Sequence, residues 1–108
     1  MNNDIKNIIY SKIKKSKEIS TSKPDYSKSL SKEAYKISKD NDLLLEQGYS
    51  LIALAFSARA KSEIKDMLNY SFQALDIFEE KDEIDGKIKA MNLIGISYFY
   101  SSMYEKSL

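Results

Sequence analysis

The chain has 108 residues, 31% of them charged, with a formal net charge of +1, three glycines and one proline. So few turn-formers disfavour an all-β fold and favour long helices with short connections, and no apolar run reaches the about 18 residues of a membrane span. The absence of cysteine and histidine removes disulfides, thiolate chemistry, Ser-His-Asp nucleophile pairs and histidine metal sites. No catalytic residue, metal ligand or cofactor is therefore expected, and the chain does not read as an enzyme. The N-terminal MNNDIKNIIYSKIKKSK has no separate apolar core and no small-residue cleavage site, which reads as a cytoplasmic chain without a signal peptide.

Five helical segments are predicted in chain order. The first covers about residues 4–20, with Ile5, Ile8, Ile9, Ile13 and Ile19 falling mostly on one stripe flanked by lysines. Thr21-Ser22-Lys23-Pro24 breaks it, with Thr21 or Ser22 as the N-cap of a second helix over about 24–39, whose face is Tyr26, Leu30, Ala34 and Ile37. Asp40-Asn41-Asp42 supplies a turn and a cap. The third helix, about 42–60, is apolar over most of its surface and so belongs at the centre of the packing. After the short turn Lys61-Ser62 comes a fourth helix over about 63–80, and after Glu79-Glu80-Lys81-Asp82-Glu83 a fifth over about 83–101. Ser101-Ser102 reads as a further turn, with Tyr104 opening a truncated sixth helix. Short turns force antiparallel neighbours, which gives one all-α domain over 1–108 with hairpins at about 4–40, 42–80 and 83–108, the last incomplete, as in a fragment of a longer protein.

Two stretches share one layout. In ALAFSARAKSEIKDML (53–68) and GISYFYSSMYEKSL (95–108), Ala55 pairs with Gly95, Ala58 with Tyr98, Ser62 with Ser102, Ile64 with Tyr104 and Leu68 with Leu108, always 40 residues apart. A fixed period in this range points to a helical-repeat array.

With a small residue late in the first helix (Gly95), an aromatic three residues on (Tyr98), a turn (Ser102) and an aromatic two past it (Tyr104), the last unit resembles the tetratricopeptide repeat family, and the middle unit keeps the layout with Ala55, Ala58, Ser62 and Ile64. The second helix of the first unit, PDYSKSL, follows the same pattern. The resemblance implies stacked antiparallel helical hairpins in an α-α superhelix, which binds a protein or peptide in a concave groove lined by the first helix of each unit. The period is longer than the family's usual length of roughly 34 residues, Met67 stands where a small alanine is usual, and the proline expected after Phe78 is missing. In this the chain looks like the longer-repeat subclass of bacterial signalling proteins, and its Lys/Ile/Asn/Ser-rich character is similar to the N-terminal region of clostridial-type proteins that end in a GGDEF-type diguanylate cyclase domain. Carried over onto matching positions, the groove residues are Tyr49, Ile52, Phe56 and Arg59 in the middle unit and Lys89, Asn92, Ile96 and Phe99 in the last. Arg59 is the one arginine of the chain, and arginine suits a bidentate grip on a carboxylate. The plainer reading is that the apolar members of this set pack against one another.

Charge is uneven. Residues 1–40 carry ten lysines against five acids, whereas residues 41–108 carry seven basic against eleven acidic residues. A basic first helix without Trp or Phe anchors reads as the cap of the array rather than a membrane or nucleic-acid surface. The acidic run EEKDEIDG (79–86) lacks the alternating oxygen ligands of a calcium loop. The expected partner is a protein or peptide, with no nucleic acid and no membrane. The alternatives are a dimerisation spacer that senses nothing and a free-standing adaptor, with self-association through the open last hairpin around Ile94 and Tyr98.

Overall fold

The computed structural model describes residues 2–107, and the side chains of residues 3–103. It is all-helical there: α1 (Asn2–Glu18), α2 (Pro24–Asp40), α3 (Leu44–Ala60), α4 (Ile64–Glu80) and α5 (Ile84–Ser107). From α2 onward the helices begin at residues 24, 44, 64 and 84, so a 17-residue helix and a three-residue connection recur.

The last three connections share one construction. Asp42, Ser62 and Asp82 sit at φ of 54°, 60° and 52°. Behind each, the next amide reaches back five residues: Leu43 to the Ser38 carbonyl at 2.9 Å, Glu63 to Ala58 at 2.8 Å, and Glu83 to Phe78 at 2.8 Å. The left-handed residue donates to the carbonyl three back, at 3.2, 3.1 and 3.2 Å. This is the Schellman ending, which satisfies carbonyls that a helix end would leave orphaned. Leu43, Glu63 and Glu83 also precede the first helical residue of the next element, so the chain reverses in the fewest residues the motif permits.

Neighbouring helices pack, and α3 touches all four others. α1, α3 and α5 meet in that order, whereas among the described residues α2 and α4 do not touch. The shortest dimension of the molecule, 19 Å, is that of two helix layers. Burial repeats with the connections. Ser27, Ser31, Ala34 and Ser38 are buried on α2, and Met67, Ser71, Ala74 and Phe78, each 40 residues later, are buried on α4. The same offset relates Glu46, Ser50, Ala53 and Ser57 on α3 to Gly86, Ala90, Leu93 and Ser97 on α5.

Small residues let the helices approach. Phe78, fully buried, is held between two glycines: a Cβ at Gly48 would lie 2.9 Å from its ring, and a Cβ at Gly86 would overlap ring carbons outright. Where α1, α2 and α3 meet, three buried serines interlock. Ser16 Oγ donates to the Ser27 carbonyl at 2.7 Å, Ser27 Oγ donates to the Ser16 carbonyl at 2.7 Å, and Ser57 Oγ lies 2.7 Å from Ser27 Oγ. Ser31, Ser38, Ser50, Ser71 and Ser97 each bond a carbonyl four residues back. Among the described residues no buried side-chain polar atom lacks a partner.

Several expectations need correction. The truncated sixth helix is not seen: α5 runs unbroken through Ser101 and Ser102 to Ser107. Those serines stand 20 residues after the Lys81-Asp82 turn, in phase with the other connections, but serine is compatible with a helix interior. A left-handed residue at 102 costs roughly 1–2 kcal/mol, and among the described residues no helix packs beyond it to offset that. The N-cap of α2 is Lys23, with no side-chain bond, rather than Thr21 or Ser22. Asp42 serves the end of α2 and not the start of α3. Tyr26 is 52% exposed, its place in the α2 core taken by Ser27, and Ile8 also faces out while Ile9 and Ile13 are buried. The side chain of Tyr104 and the whole of Leu108, both used in the 40-residue pairing, lie outside the described residues.

Candidate ligand groove

The surface formed by α1, α3 and α5 carries two hollows that meet at Lys17. The larger, about 560 Å³, is lined by Tyr10, Ile13, Lys14, Lys17, Tyr49, Asp85 and Lys89. The second, about 430 Å³, is lined by Lys17, Ser20, Thr21, Phe56, Arg59, Ala60 and Tyr100. Each takes side chains from all three helices. The helices run in the same direction here, because each is two reversals from the next, so equivalent turns of all three stand level.

The first hollow is rigidified by tyrosine hydrogen bonds. Tyr10 Oη donates to Glu46 Oε2 at 2.8 Å, and Tyr49 Oη donates to Asp85 Oδ2 at 3.0 Å with Glu83 Oε1 at 3.4 Å. Burial, then the carboxylate neighbours, push both phenols well above the usual tyrosine range. Lys89 donates to Asp85 Oδ2 at 2.9 Å and lies 5.5 Å from the Tyr49 ring centre. The hydrogen bonds from Lys89 and Tyr49 hold the Asp85 carboxyl below its ordinary value.

Cations and rings alternate in the second hollow. The Lys17 ammonium lies 5.4 Å from the Phe56 ring centre, and the Arg59 guanidinium 5.9 Å from that of Tyr100. Among the described residues neither cation has a carboxylate within ion-pairing distance. Loss of hydration, then repulsion from Lys89, lowers the Lys17 pKa. A half-buried ammonium next to another cation favours an arriving anion, because the anion restores charge balance where water is partly excluded.

The structure separates the sequence-derived groove residues. Tyr49, Phe56, Arg59 and Lys89 line the hollows. Ile52 does not: it is fully buried, because α3 is covered on several sides and this position faces its neighbours. Ile96 is partly buried against the main core, and Asn92 and Phe99 are exposed on α5 without lining either hollow. The sequence reading missed Tyr10, Lys14, Lys17, Asp85 and Tyr100. Carrying the repeat pattern onto the middle and last units alone left α1 out of the groove. The signal that could have found its share was Lys14 and Lys17 at a three-residue spacing beside Ile13, one face of the first helix of the first unit.

Among the described residues no three acidic side chains gather as metal ligands. In the acidic run, Asp82 forms the turn and Asp85 is engaged by Tyr49 and Lys89. No described helix is long and apolar enough to cross a membrane. No family model matches the chain, and neither a curated protein nor a solved structure matches it.

Proposed function

We infer that the chain is a peptide-binding helical-repeat module, a stack of antiparallel hairpins of the tetratricopeptide kind that takes an acidic peptide in the α1/α3/α5 groove. The observation that carries this reading is the pair of hollows joined at Lys17, walled by Tyr10, Tyr49, Phe56 and Tyr100, with Lys17 and Arg59 both without an acidic partner among the described residues. Contact between odd helices, together with the separation of α2 from α4, is the arrangement that would make the odd-helix face concave. Aromatic rings give a peptide side chain apolar area, and cations beside them fix its acidic groups. The 40-residue unit is shared evenly between two 17-residue helices and two short connections, which accounts for the length beyond the usual repeat without an insertion.

The setting implied by the sequence resemblance is a cytoplasmic signalling protein in which this region is the regulatory input, a diguanylate cyclase being one such output. Binding would act there by favouring one curvature of the stack.

The test is the affinity of short Glu/Asp peptides carrying one aromatic residue, measured by calorimetry for the natural chain, Lys17→Glu and Arg59→Ala. Each substitution is expected to weaken binding about tenfold or more while leaving the melting temperature nearly unchanged. Raised salt weakens binding of the natural chain, as screening requires. Equal affinity for all three proteins removes the groove from the account.

A further inference from the structure

The side of α5 turned away from α3 and α4 carries a stripe free of charged residues: Ile84, Ile88, Met91, Gly95 and Tyr98, with Phe99 beside it. The alternating four- and three-residue steps keep them on one face. Ile84 is 69% exposed, Ile88 54%, Met91 58%, Tyr98 54% and Phe99 62%. A Cβ placed on Gly95 would meet nothing within 4 Å. A contiguous apolar strip of this kind marks an interaction surface rather than scattered exposure.

The fold itself shows how such a stripe is covered. Forty residues earlier the same positions on α3 are Leu44, Gly48, Leu51, Ala55 and Ala58, and the last four are buried. Their cover includes the antiparallel helix α4, whose Phe78 ring seats over Gly48. A glycine in the stripe is there the socket for a large side chain from a helix running the other way.

We propose that the α5 stripe is self-complementary and pairs antiparallel with α5 of a second copy of this chain. Met91 seats over the partner's Gly95, Ile88 packs against the partner's Tyr98 and Phe99, and symmetry repeats both contacts. One register satisfies all of these, because 91 and 95, and 88 and 98, are placed symmetrically about the same point of the helix. A parallel pairing would set Met91 on Met91 and leave the two glycines facing across a gap. No charged group of the stripe has to be desolvated, and the opposed helix dipoles attract. Six large side chains, including Met103 at 52% exposure, can cover about 600 Å² per copy, about 1,200 Å² in all, the lower end of specific interfaces. The account therefore expects a dimer of micromolar rather than nanomolar strength. The pairing face and the groove lie on different sides of α5, so this inference stands apart from the peptide-binding reading.

The experiment is sedimentation equilibrium of the full chain over a wide concentration range, with Gly95→Leu, Ile88→Lys and Phe99→Glu. The natural chain is expected to pass from monomer to dimer. Gly95→Leu fills the socket without touching its own fold, and should weaken the dimer at least about tenfold while the melting temperature of dilute protein holds or rises. Ile88→Lys and Phe99→Glu should each abolish pairing alone and recover it when mixed, since antiparallel packing sets 88 against 99. A chain that stays monomeric at millimolar concentration, a dimer indifferent to Gly95→Leu, or a mixture that fails to recover would each overturn the proposal.

Discussion

Two glycines on one helix should respond to the same substitution with opposite signs. Replacing an interior helical glycine by alanine stabilises a helix by about 0.5–1 kcal/mol, because the unfolded chain has less freedom to lose. At Gly95 the new methyl meets nothing within 4 Å, so Gly95→Ala should gain that amount in full, a rise of about 2–4 °C in melting temperature for a domain of this size. At Gly86 the methyl would overlap the Phe78 ring. That ring is fully buried, already fills the space a Cβ at Gly48 would need, and has the Tyr49 ring centre 4.9 Å away, so it has little room to retreat. Overpacking of this kind costs about 1–3 kcal/mol, so after the helix gain Gly86→Ala should be destabilised by about 0.5–2 kcal/mol. Urea unfolding followed by far-UV circular dichroism, on protein dilute enough to be monomeric, measures both. If Gly86→Ala is as stable as Gly95→Ala, the clamp of two glycines on Phe78 is wrong, and with it the described seating of α4 between α3 and α5.

Other consequences follow from single features. Ser62→Gly, at a φ of 60°, should raise stability by about 0.5–1 kcal/mol in the same assay, since glycine takes the left-handed conformation without a Cβ clash. Ser27→Ala should cost about 1–2 kcal/mol, because Ser16 and Ser57 both lose a buried hydroxyl partner. The phenols of Tyr10 and Tyr49 are raised above the ordinary tyrosine value, so their contribution to stability is complete below the unfolded value of about 10 and is lost as pH rises beyond it. Ultraviolet titration should show these two ionising later than exposed tyrosines, and substitution of each by phenylalanine should remove the late component. At the acid end, the Lys61 hydrogen bond lowers Asp25, and the Lys89 and Tyr49 hydrogen bonds lower Asp85. Both then contribute above the ordinary carboxylate value and lose that contribution as pH falls from it through the lowered folded-state value, and Asp25→Asn should remove the Asp25 share from an acid unfolding profile.

The helices were legible because their signals are local: period-3.6 apolar stripes, and turn residues where the chain reverses. The central place of α3 followed from its apolar surface, which only a sandwiched helix can hide. The buried serines were not legible. Ser16, Ser27 and Ser57 read as polar surface until three helices are seen to cross at them, where a larger residue would hold the backbones apart. Gly95 and Gly86 look alike in sequence, yet one faces open space and the other an aromatic ring. Ile52 entered the groove set with the repeat pattern, which does not tell the outer edge of a helix face from its core edge, and packing by the neighbouring helices buries it completely. Of the residues around the hollows, Arg59 and Lys89 came from carrying the repeat pattern onto matching positions, Arg59 also as the one arginine, whereas Lys17 gains meaning only when α1 is set across α3 from α5.

The central claim is that the odd-helix face receives an acidic peptide, and amide chemical-shift mapping on the isotope-labelled chain tests it most directly. Titration with a Glu-rich peptide bearing one aromatic residue should shift Lys17, Tyr49, Phe56, Arg59 and Tyr100 together, with Ser31 and Ser71 on the even helices unmoved. Shifts confined to α2 and α4, or none at saturating peptide, would contradict it.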